Sequence, residues 1–194
     1  MQKISVLSTR FALVASLTLL PAAMIGQTKS MSDSSNGGAI SASDKKFVRD
    51  AAQGGLAEVE LGKMATEKAS NPEVRKFGQR MVDDHSKAND QLKQVASSKG
   101  IAVPDKLNAK DEMTKQHLSN LSGEQFDKAY MSDMVKDHTQ DVADFQRESN
   151  SGADPDVKSF AQQTLPTLKD HLREAKQISP TTSARAGNMH NSQQ

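Results

Sequence analysis

The chain contains no cysteine, no tryptophan, one tyrosine and six phenylalanines in 194 residues. Without cysteine there are no disulfides, no thiol catalysis, no cysteine-ligated zinc and no covalently attached c-type haem. Aromatics at 4% leave too few large rings for a typical β-sandwich core. An excess of either charge is missing too, since 25 Lys and Arg face 24 Asp and Glu for a net charge of +1. That balance argues against a general polyanion binder, so nucleic acid is not an expected partner. Apolar residues make up 35%, and even with glycine counted the share stays below the roughly 45–50% of globular chains. What remains suits a helical protein with a core of Leu, Val, Met and Ala.

Residues 1–26 read as an export signal. Lys3 and Arg10 supply a positive region, Phe11 to Leu20 form an apolar run, and Pro21-Ala22-Ala23 follow as small residues. The run is shorter than the roughly 20 residues that cross a bilayer, so no transmembrane span is expected in the mature protein. Residues 27–43 form a Ser/Gly-rich leader, and residues 179–194 read as a disordered tail. The folded unit is expected over 44–178, exported to the periplasm or cell envelope.

Within that unit four long helices are predicted, near 44–69, 72–98, 122–149 and 155–178. Asp44, Asn71-Pro72 and Asp154-Pro155 supply caps and first-turn prolines, and Ser122 to Gln125 forms a capping box. Lys99-Gly100 and Pro180 mark stops. Short turns join the first helix to the second and the third to the fourth. Between the pairs lies a longer crossover, 99–121, with a short helix from Ala109. Two antiparallel hairpins joined this way predict an all-α, ferritin-like four-helix bundle. An internal repeat agrees, because Asn71 to Gln79 matches Asp154 to Gln162 position by position in character.

A second echo concerns histidine. Met81-Val82-Asp83-Asp84-His85 recurs as Met134-Val135-Lys136-Asp137-His138 and, shortened, as Leu168-Lys169-Asp170-His171. Each histidine is the strongly polar member of an apolar stripe spaced by fours and threes, and on the first helix that odd member is Glu58. All four stand near mid-helix, so a rise of 1.5 Å per residue leaves them within about 6 Å of a common level. One glutamate and three histidines are therefore expected to converge at the bundle centre. Buried singly they would be costly. They either form a hydrogen-bonded network or share a transition metal ion, with Zn, Mn, Fe or Cu all compatible. Glu60 is a lesser candidate, because its face also carries Gln53 and Glu67. Gly54, Gly55 and Gly62 beside Glu58 leave space for close helix packing or for a ligand. Asp84, Asp137 and Asp170 are expected to point outward, since a neighbour in sequence is turned about 100° around the helix, and there they would orient neighbours or pair with Lys or Arg on the surface.

Together with Ala51 to Gly62, Phe126 to His138 and Leu165 to His171, these segments resemble an uncharacterised bacterial family of exported ferritin-like proteins, domain of unknown function 4142. Its members often carry the label of outer membrane protein. The resemblance covers 44–178 and implies a helical bundle in the envelope, with no established reaction. Di-iron relatives of the fold use Glu-x-x-His on two helices. Here Val82 and Leu168 precede His85 and His171 by three residues, so di-iron oxidase activity is not expected and no catalytic residue is assigned. No ladder of alternating strands suggests a barrel, and any membrane association would be peripheral. Two functions stand side by side. One is an envelope protein holding a transition metal through Glu58, His85, His138 and His171 for metal handling or stress protection. A bis-histidine haem is a variant of it, with few aromatics to clasp the ring. The other is a non-catalytic envelope interaction or stress protein whose polar cluster is a metal-free structural network.

Overall fold

The computed structural model describes residues 40–191, with side-chain surroundings described through Ser179. The expected export signal and most of the leader lie outside the described residues. The helices are α1 (Ala42–Lys68), α2 (Pro72–Ser98), α3 (Ala109–Ser119), α4 (Gly123–Ser151) and α5 (Pro155–Asn191). No strand occurs among the described residues, and none of their helices is long and apolar enough to cross a membrane.

The turns explain the topology. Asn71 accepts from the Glu73 amide at 2.9 Å, with Pro72 in the first turn, and Asp154 accepts from the amides of Asp156 and Val157. Each cap spends a side-chain oxygen on amides that the helix itself leaves without partners. Both hairpins therefore reverse within a few residues, and α1 packs on α2 as α4 packs on α5. The crossover, with α3 in it, carries the chain back along the bundle. Asp127 at the start of α4 consequently meets the α1–α2 turn, accepting from the amides of Ser70 and Asn71 at 3.0 and 2.8 Å. Asp44 at the start of α1 meets the α4–α5 turn, accepting from the Asp154 amide at 2.8 Å and the Ala153 amide at 3.4 Å. Neighbouring helices run antiparallel, with α1 also against α4 and α2 against α5. This is ferritin-like connectivity.

Three local expectations are corrected. The cap of α1 is Ser41, whose hydroxyl accepts from the Asp44 amide at 3.0 Å, which frees Asp44 for its distant turn. Ser122 stands at the cap position just before α4, but its hydroxyl makes no capping bond. Gly123 follows at a φ of 57°, a left-handed backbone that glycine adopts without a Cβ clash, and the expected capping box does not form. Finally, α5 continues past Pro180 to Asn191 instead of stopping near Ile178. A proline forfeits one backbone donor there and does not by itself forbid further turns.

The core has two apolar clusters. One gathers Leu61, Phe77, Met81, Tyr130, Met134 and Ala175, and the other Val48, Leu92, Phe145, Val157, Ala161 and Leu168. Each buried Leu, Phe or Met contributes roughly 1.5–3 kcal/mol. Along each of the four long helices a buried polar residue stands between the two clusters: Glu58, His85, His138 or His171. The fold thus holds a polar layer at mid-height between two greasy ends.

Candidate metal centre

His85 comes from α2, His138 from α4 and His171 from α5, exposed by 7%, 0% and 1% respectively. One ring nitrogen of each lies within 4.8 Å of the other two. The ring centroids are 5.3–5.6 Å apart, and Phe77 packs its ring edge-on to His138 and His171.

The hydrogen bonds fix the protons. His138 Nδ1 lies 3.0 Å from the Met134 carbonyl oxygen. A carbonyl only accepts, so Nδ1 carries the proton and Nε2 presents a lone pair. His171 Nε2 lies 2.8 Å from Asp84 Oδ2. Burial alone would raise the Asp84 pKa, but its bonds to His171 and Arg80 outweigh that and lower it. The carboxylate is thus ionised and accepts from Nε2, which leaves the lone pair of a neutral His171 on Nδ1. His138 Nε2 and His171 Nδ1 face each other at 3.3 Å. Burial first, and the neighbouring rings second, push His85 well below its ordinary pKa and bring His138 down to about 3. His171 is lowered too, by burial, against the pull of Asp84. All three rings are neutral near pH 7, so two lone pairs point at one another in the interior. Nearby, His85 Nε2 is buried without a hydrogen-bond partner.

Asp84 is the residue that periodicity missed. Its side chain does leave the face of His85, as a neighbour in sequence must, but it reaches across to α5. Arg80, one turn earlier, pairs with Asp84 and with Glu174 of α5. The Arg80/Asp84 spacing of four was the available signal.

Glu58 arrives at the right level, 3% exposed, yet not at the meeting point of the nitrogens. Its Oε1 is 3.6 Å from His138 Nδ1, on the ring edge away from His171, and its Oε2 is buried without a partner. Burial, then the charges of Asp141 and Asp137, push its pKa well up. Glu60 stands apart on the surface side, paired with Lys63 at 3.1 Å and Lys115 at 2.9 Å. Asp170 pairs with Arg173 of its own helix at 2.7 Å, pointing outward as expected.

The small residues divide between the two roles left open for them. A Cβ on Gly62 would stand 2.7 Å from the Gly78 carbonyl oxygen, which marks a close α1–α2 crossing. A Cβ on Gly55 would strike the Asn89 side chain, whereas one on Gly54 would meet nothing within 4 Å. Two openings reach the polar layer from opposite sides. A cleft of about 300 Å³, lined by Asp84, His85, Lys87, Gln91, Thr164 and His171, lies between α2 and α5. A pocket of about 240 Å³, lined by Gly54, Glu58, Asp111, Asp137 and Asp141, opens where α1, α4 and the crossover meet.

Solved structures share this fold. A DUF305 fragment from Deinococcus radiodurans superposes with a TM-score of 0.65 at 17% identity, covering 73% of this chain and 98% of that one. A DUF305 protein from Streptomyces coelicolor, described as a candidate secreted protein, gives 0.62 at 15% identity over 73% and 92%. No curated protein matches the chain. The family model described as Domain of unknown function (DUF4142) matches residues 29–178, and with most of its length inside that match the chain belongs to the DUF4142 family.

Proposed function

We propose that the protein is an exported envelope protein that binds one transition metal ion through His85, His138 and His171, for metal handling or stress protection. The observation that carries this reading is the pair of facing nitrogens, His138 Nε2 and His171 Nδ1, 3.3 Å apart. A metal-free network needs an extra proton there, on a ring whose burial disfavours the charge. A cation accepts both lone pairs at once. Two imidazole nitrogens on one tetrahedral ion stand roughly 3.3 Å apart when each metal–nitrogen bond is about 2.0–2.1 Å. The Met134 carbonyl and Asp84 take the outer protons and so orient His138 and His171, as partners of ligating imidazoles do. A nitrogen-only donor set favours Zn or Cu over Mn, with Glu58 outside it. The cleft between α2 and α5 gives an ion its route in. Export is supported by the reading of residues 1–26 and by the secreted description of one fold neighbour.

The test is metal analysis of the mature chain after exposure to Zn(II), Cu(II) or Co(II). One equivalent of ion, with a Tm raised by several degrees, is expected. His138→Ala should lose the ion while keeping its helical circular dichroism, and Asp84→Asn should weaken binding roughly 10–100-fold. No retained ion and an unmoved Tm in wild type would sink the proposal.

A further inference from the structure

We propose that the acidic pocket between α1, α4 and the crossover is a second, separate site, for a multivalent cation that binds by donating hydrogen bonds: a polyammonium chain or a hydrated divalent ion. Six carboxylates line it, those of Asp50, Glu58, Asp111, Asp137, Asp141 and Asp144, against one ammonium, Lys110. Some are already engaged. Asp50 pairs with Lys46, Asp111 accepts from Gln53 at 3.0 Å, and Asp144 pairs with Arg147 and accepts from Gln140 at 2.9 Å. Glu58, Asp137 and Asp141 form no ion pair with a lysine or arginine among the described residues.

Acidic side chains alone are common on helices, and what points to a ligand is Glu58. It is 3% exposed, it lines the pocket, and its Oε2 has no hydrogen-bond partner. A buried carboxylate oxygen left in that state carries a desolvation penalty until a donor reaches it. The α4 wall adds a second cost. Asp133, Asp137 and Asp141 follow one another at intervals of four, and like charges so spaced repel along a helix. Burial, followed by Asp137 and Asp144, pushes Asp141 up to about 7. One positively charged donor in the pocket relieves both costs.

The geometry also selects the kind of cation. The carboxylates do not bring three ligand atoms to one point, and among the described residues only the three histidines do so. A bare ion bonded directly to oxygen does not fit, whereas N–H groups or ion-held water can span the wider spacing. Room exists beside Glu58, because Gly54 faces open space. The site shares none of the three histidines and meets them only where Glu58 Oε1 stands 3.6 Å from His138 Nδ1, on the ring edge away from His171.

The probes are spermidine and Mg(II), neither of which suits three imidazoles. Each is titrated into the mature chain by calorimetry and thermal melting, at an ionic strength held constant with NaCl. Saturable binding and a Tm above the salt control are expected. Gly54→Leu fills the pocket without a clash at its Cβ, and Asp141→Asn removes a charge. Both should bind at least tenfold more weakly with helical content intact, and His85→Ala should bind as wild type does. Saturation by spermidine alone assigns a polyammonium ligand, and by Mg(II) alone a hydrated ion. If neither cation moves the Tm beyond the NaCl control, or if both pocket variants bind like wild type, the site does not exist.

Discussion

The two hairpins are alike at their ends and unlike in their middles. A shift of 83 residues carries Asp44 onto Asp127, Asn71-Pro72 onto Asp154-Pro155, Val74 onto Val157 and Phe77 onto Phe160. At the ends the matched residues do matched work, each early carboxylate holding the amides of the other hairpin's turn. At mid-height the same shift sets His85 against Leu168, His171 against Ala88 and His138 against Gly55. The three histidines therefore converge from positions that the repeat does not relate. The echo of Met81 to His85 in Met134 to His138 joins α2 to α4, whereas the repeat joins α2 to α5. The ends carry what the fold needs twice, and the middle is where the two hairpins differ, with histidines contributed by both.

Removing the matched carboxylates one at a time tests how equal the ends are. Asp127 accepts from two amides and from the Ser70 hydroxyl. Hydrogen bonds to a charged group contribute about 1.5–3 kcal/mol each, and orphaned buried amides add to the loss. Asp127→Ala should cost about 3–4 kcal/mol in urea unfolding. Asp44→Ala should cost about half as much, because one of its two bonds is long and its charge opposes Glu148. Burial, then Asp44, raises Glu148 to about 7, and losing Asp44 relieves that strain. Equal losses would mean that Glu148 imposes no asymmetry.

The hairpin crossings differ next. Gly62 and Gly78 let α1 and α2 touch, and the shift places Phe145 and Ala161 at the corresponding points of α4 and α5. In Gly78→Ala the new Cβ would stand 2.7 Å from that of Ala65 and 2.9 Å from the Gly62 carbonyl oxygen. The crossing must open, at about 1–3 kcal/mol, against a helix-propensity gain of about 1 kcal/mol. Gly78→Ala should therefore lower the urea midpoint although alanine is the better helix former. A raised midpoint would show that the first hairpin tolerates the wider spacing of the second.

How much of this could be read in advance depends on the range of each interaction. The second helix runs Pro72–Ser98 as expected, because Asn71, Pro72 and the Lys99-Gly100 stop act within one turn. The Ser122 box carried the right letters but not the right backbone, which a positive φ at Gly123 decides. Heptad spacing gave the inward faces and the shared level of Glu58, His85, His138 and His171. It could not give ring orientation, and ring orientation sets Glu58 on Nδ1 of His138 while His171 meets Nε2. Periodicity turns Asp84 outward because it describes one helix at a time, and the partner of Asp84 belongs to another. Its bond to His171 depends on the α2–α5 distance, which no local pattern contains.

The smallest expected effect separates the acidic face from the histidine layer through pH, in the absence of divalent ions and polyamines. Asp141 and Glu58 occupy equivalent positions under the 83-residue shift, and both are held above their ordinary pKa values, chiefly by burial. For Asp141 the folded chain keeps a proton up to about 7 that the unfolded chain releases near 3.8. Its contribution is thus fully present below 3.8 and is lost as pH rises through that window. His138 acts oppositely. Its folded value of about 3 against 6.5 makes the unfolded chain bind the proton first, so stability is lost as pH falls below 6.5. The wild-type profile is flattened where the two slopes overlap. Asp141→Asn removes one of them, so it should match wild type at pH 3.5 and exceed it by about 1 kcal/mol at pH 7.5, after discounting for partial solvation. Because that same substitution is expected to weaken cation binding at least tenfold, a more stable but weakly responsive variant would show that the acidic face gives up stability to keep its charge, whereas parallel profiles would show Asp141 ionised in the fold like any surface aspartate.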